Sequence, residues 1–489
     1  MPTDQTPEGF NTPVPSKILT PDHADSRIGS LNFVDGVPTA ETAEKVFDHL
    51  DFLRGVEVFL TCIPAASLEA MHVGTVAQGV DACNKVLIMD ELLDSGPFFL
   101  TGNTDTVYCS GFLDLERDGA TVVEIPPGCG PGTVNDAWFR FVIDMGFPGP
   151  DQGEGGKYLI TPPGYDGEIP DGYFVAESTS YINWVILRGF LVDGKPDASA
   201  KMFTEGLKIY PLSQADDPPT MEFISTSGQL FNTIHANNAE FYAELATAVQ
   251  REPIDMIDPE TRGLLAAIGI HKDKPFEPDE RMQRILVEAA EVANATARSI
   301  YFRWRDDAPK LYDDRQWHTF FIGGDYNWLL DEGRGGRYLD ARTFFFYVAT
   351  VNTPAMAWKL VGKGSQYAGA DTDVNGNFLD GAKSYRLRLP ADVPVKRFWS
   401  ICVYDTQTRS ELQTSQPYPS RNSVKGELEY NSDGSVDILF GPEPPESLRN
   451  NWIQTVPGKG WFTALRMYSP LEPWFDHTWK PGDIEPISD

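Results

Sequence analysis

The chain has 489 residues, with 40 Lys plus Arg against 71 Asp plus Glu and a formal net charge of −31. At roughly 100–200 residues per domain this length predicts two or three domains, and a composition of 41% apolar and 12% aromatic residues argues against a disordered chain. The acidic balance argues against a phosphate-reading nucleic-acid binder, which needs a basic footprint.

The segment 1–38 reads as an extended N-terminal arm rich in Pro, Thr and Asp. It lacks the basic start and apolar core of a signal peptide. The sequence as written therefore predicts a cytoplasmic protein, or a periplasmic or secreted one whose export signal has been removed. No run approaches about 18 consecutive apolar residues, so no membrane partner is expected. Thr39 is placed to cap a helix, with Phe47, Leu50, Leu53 and Val56 on one face. Residues 39–195 read as this helix plus a first β-rich domain, because TVVEIPPG, WFRFVIDMGF, GKYLITPPGY, GYFVAES and INWVILRGFLVDG are β-branched and aromatic runs punctuated by turns. Residues 196–335 read as a helical middle segment and an irregular linker. Phe241, Leu245 and Val249 form one stripe there. Met282, Ile285, Ala289, Val292, Ala293 and Thr296 form another. A helix is expected around 341–360. Residues 336–489 read as a second β-rich domain with an extended tail. The expected class is α+β, with two β-sandwich, jelly-roll-like domains flanking helices.

Long motifs carry a family resemblance. They are NTDTVYCSGFLDL (103–115), GGKYLITPPGYDGEIPDGYFV (155–175), RGFLVDG (188–194), FNTIHANNAEFYAEL (231–245), SQYAGADTDVNGNFLDGAKSYRLRLP (365–390), FWSICVYDTQTRSELQTSQPYPS (398–420) and NWIQTVPGKGWFTALRMYSPLEPWFDHTWKPGDIE (451–485). The chain resembles the bacterial two-domain family in which domain of unknown function 1254 precedes domain of unknown function 1214. The resemblance implies sandwich-type domains joined by helices and a homo-oligomer, and it supplies no catalytic residues.

The sequence contains no GxSxG, HExxH, GxxxxGK[ST] or strand-linked GxGxxG, so no nucleotide cofactor is expected. Five scattered cysteines without a CxxC make a poor disulfide framework and a poor zinc site. The candidate proton-transfer residues are His235, Tyr242 and Asp105. In a helical reading of IHANNAEFYAEL, His235, Asn238 and Tyr242 share a face, and an imidazole titrates near neutral pH. The alternative is a histidine satisfied by backbone and solvent. Asn103, Asp105 and Tyr108 lie in a loop before a strand, a frequent place for sites, although such residues also cap turns. Arg140 and Arg188 sit in largely apolar strands, where each must be paired or face a polar cavity. Arg409 and Gln413 add polar forks suited to a carboxylate or polyol. Asp371, Asp373 and Asn375 imitate the start of a calcium loop, but Ala382 stands where an EF-hand needs Glu, and NG also makes a hairpin turn. Trp399, Trp452, Trp461, Trp474 and Trp479 could stack on sugars or pack domains. His235, His318 and His477 have no shared ligand spacing. These residues suggest an acid–base enzyme of hydrolase or lyase type acting on a polar or anionic small molecule or carbohydrate. A non-catalytic binding protein and a structural oligomer are the alternatives.

Overall fold

The computed structural model describes Gly9 and residues 11–487. The part of the arm at 1–8 and 10 lies outside the described residues. Within the remainder of the arm, β1 (His23–Ser26), β2 (Gly29–Val34) and β3 (Val37–Pro38) pair into a small antiparallel sheet. The Thr39 hydroxyl then accepts from the Thr42 amide and starts α1 (Ala40–Val76), as the capping reading expects. By length and composition α1 could cross a bilayer, but 61% of its most apolar window is buried in the fold. Its inward face is formed by Val58, Phe59, Cys62, Ile63 and Leu68. Phe47, Leu50 and Leu53, placed on one face by their spacing, are exposed.

The first β-rich domain contains β4 (Lys85–Ile88), β5 (Thr106–Asp114), α2 (Leu115–Asp118), β6 (Thr121–Ile125), β7 (Pro131–Asp136), β8 (Phe141–Gly146), β9 (Gly156–Thr161), β10 (Phe174–Glu177) and β11 (Ile182–Phe190). It continues through α3 (Asp197–Gly206), β12 (Lys208–Pro211) and β13 (Glu222–Ser225). The strands form one sheet in the order β13-β4-β5-β11-β7-β8 and another in the order β10-β9-β6-β12. Val107, Val185 and Leu187 of one sheet and Val123, Tyr158 and Ile209 of the other share a single core. Strands β12 and β13 fall inside the segment read as helical; pairing with β6 and β4 overrides their local pattern.

Three helices follow, α4 (Glu240–Arg251), α5 (Pro259–Ala267) and α6 (Glu280–Phe302), then α7 (Leu339–Val348) and α8 (Pro354–Ala357). On α6 the buried face is Leu286, Ala289, Ala290, Ala293, Ala297 and Ile300, while Val292 is exposed. A Cβ built on Gly55 of α1 would lie 2.8 Å from the Ala289 Cβ, so glycine is what allows these two helices to approach. The helix expected over 341–360 is interrupted between Ala349 and Thr353, where Val351 has φ +68°.

The second domain contains β14 (His318–Thr319), β15 (Ser365–Ala370), β16 (Tyr385–Leu389), β17 (Val395–Asp405), β18 (Ser420–Asn422), β19 (Val436–Gly441), β20 (Trp452–Gln454), β21 (Trp461–Pro470), α9 (Glu472–Phe475) and β22 (Ile484–Pro486). Its sheets run β14-β15-β21-β17-β18 and β20-β19-β16-β22, again around one core. The class is α+β with sheet-rich domains. The largest core belongs to neither domain alone: it joins α1 and α4–α7 to Trp184 and Ile186 of the first domain and to Tyr404, Phe462 and Ala464 of the second.

Candidate functional site

The strand register builds two matching pairs. In the first domain Arg188 on β11 lies directly opposite Tyr108 on β5. In the second, Arg466 on β21 lies directly opposite Tyr367 on β15. Each guanidinium sits over its partner's ring, at 5.6 Å for Arg188 and 5.4 Å for Arg466. The two pairs meet across the domain boundary around a cavity of about 40 Å³. A second lobe of about 20 Å³ shares Ile186, Arg188, Val351 and Met356 and adds Asp144 and Thr353. One buried water needs roughly 10–15 Å³ by this measure, so the two lobes have room for a few waters or a small anionic group.

Both arginines are buried, and neither forms an ion pair with a carboxylate among the described residues. Arg466 donates to the Gly102 carbonyl at 2.9 Å, to the Tyr404 hydroxyl at 2.8 Å and to the Thr101 carbonyl. Burial pushes the Tyr367 phenol up, but Arg188 and Arg466 outweigh it and hold the phenol below its ordinary value. Burial pushes the Asp144 carboxyl up to about 6, against the hydrogen bonds it accepts from Thr353. A carboxyl at that value is suited to exchanging protons near neutral pH.

The other residues singled out in the sequence are dispersed. Asn103 joins the site, since its amide donates to the Tyr108 hydroxyl. Asp105 acts as a clasp between domains: Asn422 Nδ2 donates to it at 2.7 Å, Ser420 Oγ at 3.0 Å and Cys402 Sγ at 3.4 Å. Its oxygens are thereby occupied.

The helical reading around His235 is corrected. Helix α4 begins at Glu240, because the Asn238 side chain accepts from the Glu240 amide and turns the chain there. His235 lies in the preceding loop with Nδ1 on the Ala236 carbonyl at 2.8 Å, and burial lowers its pKa to about 4. Tyr242 donates to the Gly55 carbonyl at 3.0 Å. His235, Tyr242 and Asp105 share neither a hydrogen bond nor a cavity among the described residues. Arg409 is fully buried over the Tyr347 ring at 4.3 Å and donates to the Tyr347 hydroxyl at 3.1 Å. Gln413 donates to the Gly96 carbonyl. Arg140 lies at a different cavity.

The DTDVNGN segment is a hairpin turn. Asp373 accepts from the Asn375 and Asn377 amides at 2.9 and 3.0 Å, and Gly376 has φ +78°. Asp371 is buried with its carboxyl pushed up to about 7. No cluster of His, Cys, Asp and Glu able to hold a metal occurs among the described residues. Trp399, Trp461, Trp474 and Trp479 are buried in the second core, and Trp452 is half-buried, so they pack rather than present open platforms. His318 is enclosed by Tyr301, Trp304, Phe320 and Phe344, and His477 packs on Tyr312.

Arg466, Tyr367 and Glu411 carried no weight in the sequence. Arg466 had the same signal as Arg188, an arginine inside an apolar strand. Glu411 is buried with both carboxyl oxygens unpartnered, and burial beside Asp105 raises it well above the usual carboxylate range.

Two family descriptions match the chain: Protein of unknown function (DUF1254) over residues 83–211 and Protein of unknown function (DUF1214) over residues 364–472. Among solved structures, the VPA0106 protein from Vibrio parahaemolyticus is similar over 90% of this chain and 100% of its own, with 16% identity and a TM-score of 0.55. An uncharacterized protein from Burkholderia cenocepacia covers 92% of this chain and 97% of its own, with 10% identity and a TM-score of 0.39. No curated protein matches. A region matching DUF1254 thus precedes a region matching DUF1214 in this chain, with one of the two opposed Arg–Tyr pairs in each.

Proposed function

We propose that the interdomain cavity binds a small carboxylate-bearing molecule and transfers a proton on it, which makes the protein an acid–base enzyme of hydrolase or lyase type. The observation that carries this reading is the meeting of Arg188 and Arg466 from opposite domains, both buried and without an ion-paired carboxylate among the described residues. Burying two guanidinium groups without a counter-charge is costly, and a bound anion removes that cost. Asp144 and Tyr367, on the walls of the two lobes, supply the proton-transfer groups. The small cavity volume favours one competing reading, a binding protein without turnover.

Thermal unfolding with acetate, pyruvate and malonate tests the binding step. A ligand at 100 times its Kd stabilises by about 2.7 kcal/mol. Arg188→Lys is expected to lose the response, because an ammonium cannot reproduce the planar two-pronged contact. Proton NMR in deuterium oxide then reads exchange of C–H protons beside the carboxylate. Stabilisation without exchange supports the binding protein, and no stabilisation by any carboxylate overturns both readings.

A further inference from the structure

A second cavity, of about 160 Å³, lies on the other side of the 349–353 segment and is lined by three arginines, Arg140, Arg337 and Arg342. In a chain of net charge −31 such a convergence is against the overall balance. Arg342 is the deepest of the three. Its side chain has no hydrogen bond or ion pair among the described residues, and its Nε is buried without a partner. Burial and the repulsion of Arg337 push its guanidinium down to about 10. Arg140 makes a long contact of 3.8 Å with Asp136 and donates to the Met256 carbonyl. Arg337 donates to the Asn327 carbonyl. The one carboxylate on the wall, Asp258, is occupied as the cap of α5, accepting from the Thr261 amide at 3.0 Å and hydroxyl at 2.7 Å.

Two more wall residues carry buried polar atoms without partners, Trp328 Nε1 and Asn352 Oδ1. The Asn352 amide nitrogen already donates to the Phe139 and Tyr326 carbonyls, which fixes Oδ1 as the free acceptor. The cavity thus offers cationic donors, a neutral donor and one acceptor, between the rings of Trp138, Trp328 and Phe346. Its volume corresponds to on the order of ten non-hydrogen atoms.

We infer that this cavity is a second ligand site, separate from the interdomain one, that takes an aromatic hydroxy acid: the carboxylate meets Arg342, the ring lies among the aromatic side chains and the hydroxyl donates to Asn352. Glu57 attracts the Arg342 guanidinium without bonding to it, and a largely buried guanidinium with no directly paired carboxylate is unfavourable until an anion arrives.

The test uses the full chain with 4-hydroxybenzoate, benzoate and inorganic phosphate, read by thermal unfolding and by quenching of tryptophan fluorescence. 4-Hydroxybenzoate is expected to stabilise most, benzoate less, and phosphate least. Arg342→Met is expected to raise the melting temperature of the ligand-free protein while weakening 4-hydroxybenzoate at least tenfold. Arg337→Gln, at the exposed rim, weakens the ligand while leaving the fold intact, and covers the case in which Arg342→Met does not fold. A lower ligand-free melting temperature in a folded Arg342→Met protein with ligand response intact overturns the site. Equal responses to phosphate and 4-hydroxybenzoate overturn the ligand class. A 4-hydroxybenzoate response that survives in both of these variants but disappears in Arg188→Lys belongs to the interdomain cavity and also overturns the inference.

Discussion

Tyr367 is the residue at which the interdomain site becomes chemically distinctive. A buried phenol ordinarily resists ionisation, yet two guanidinium groups face this one and reverse the direction. Ultraviolet titration of the folded protein is therefore expected to show a tyrosine that ionises before the bulk of the 18 tyrosines. Tyr367→Phe should remove that early step and leave the later titration in place; an unchanged curve would contradict the assignment. Arg188 was legible in the sequence because a charge inside an apolar strand demands an explanation. Tyr367 was not legible, since a tyrosine in SQYAG is an ordinary strand residue until register sets it opposite Arg466. His235 misled for a related reason: helical spacing toward Tyr242 has no meaning once Asn238 ends the preceding loop and delays the helix to Glu240.

At the scale of elements, the segment from Ala349 to Thr353 separates the two cavities, with Val351 on the wall of one and Asn352 on the wall of the other. A β-branched residue at φ +68° is strained, and such strain persists only where the surroundings enforce it. The enforcement is visible. Asn135 Nδ2 donates to the Asn352 carbonyl at 2.7 Å, the Asn352 amide donates back to Asn135 Oδ1 at 3.0 Å, and the Thr353 hydroxyl holds Asp144 at 2.7 Å. Asn135→Ala leaves a buried backbone donor and acceptor unpaired, so it should cost about 2–4 kcal/mol in urea unfolding. It should also weaken ligand responses at both cavities, whereas a purely structural role would change the unfolding midpoint alone. The sequence showed the strands on either side of this segment through their turn-punctuated apolar runs. The break in the helix had a local signal, Thr353-Pro354, which the reading of one helix over 341–360 passed over, but nothing local in FYVATVNTPA reports that Asn135 is waiting to accept and donate there.

For the whole molecule, buried titratable groups set the pH dependence of stability. Burial pushes Asp144 up to about 6 and Glu244, Glu252 and Asp371 up to about 7, and raises Glu411 well above the usual carboxylate range. A carboxyl raised in the folded state contributes stability that is present at low pH and lost as pH rises through its folded value. His235 and His318, lowered to about 4, and His72, lowered in the same direction, act oppositely and lose stability as pH falls below the ordinary histidine range. These five carboxyls outnumber the three histidines. The melting temperature is therefore expected to rise on going from pH 7.5 to 5.5, and a fall over that interval would contradict the balance. The two β-rich domains were legible from strand composition and turn spacing. The shared helical core was not, because the partners of α1 lie hundreds of residues further along the chain and no local pattern names them.

That shared core has a consequence for how the protein is made. Helix α1 leaves the ribosome early, yet its apolar face is covered by α4, α5, α6 and α7. At ~5–20 residues per second, the wait before α7 emerges is on the order of tens of seconds. During that interval one long apolar helix lacks part of its cover, so the rate of synthesis is expected to influence the yield of folded protein.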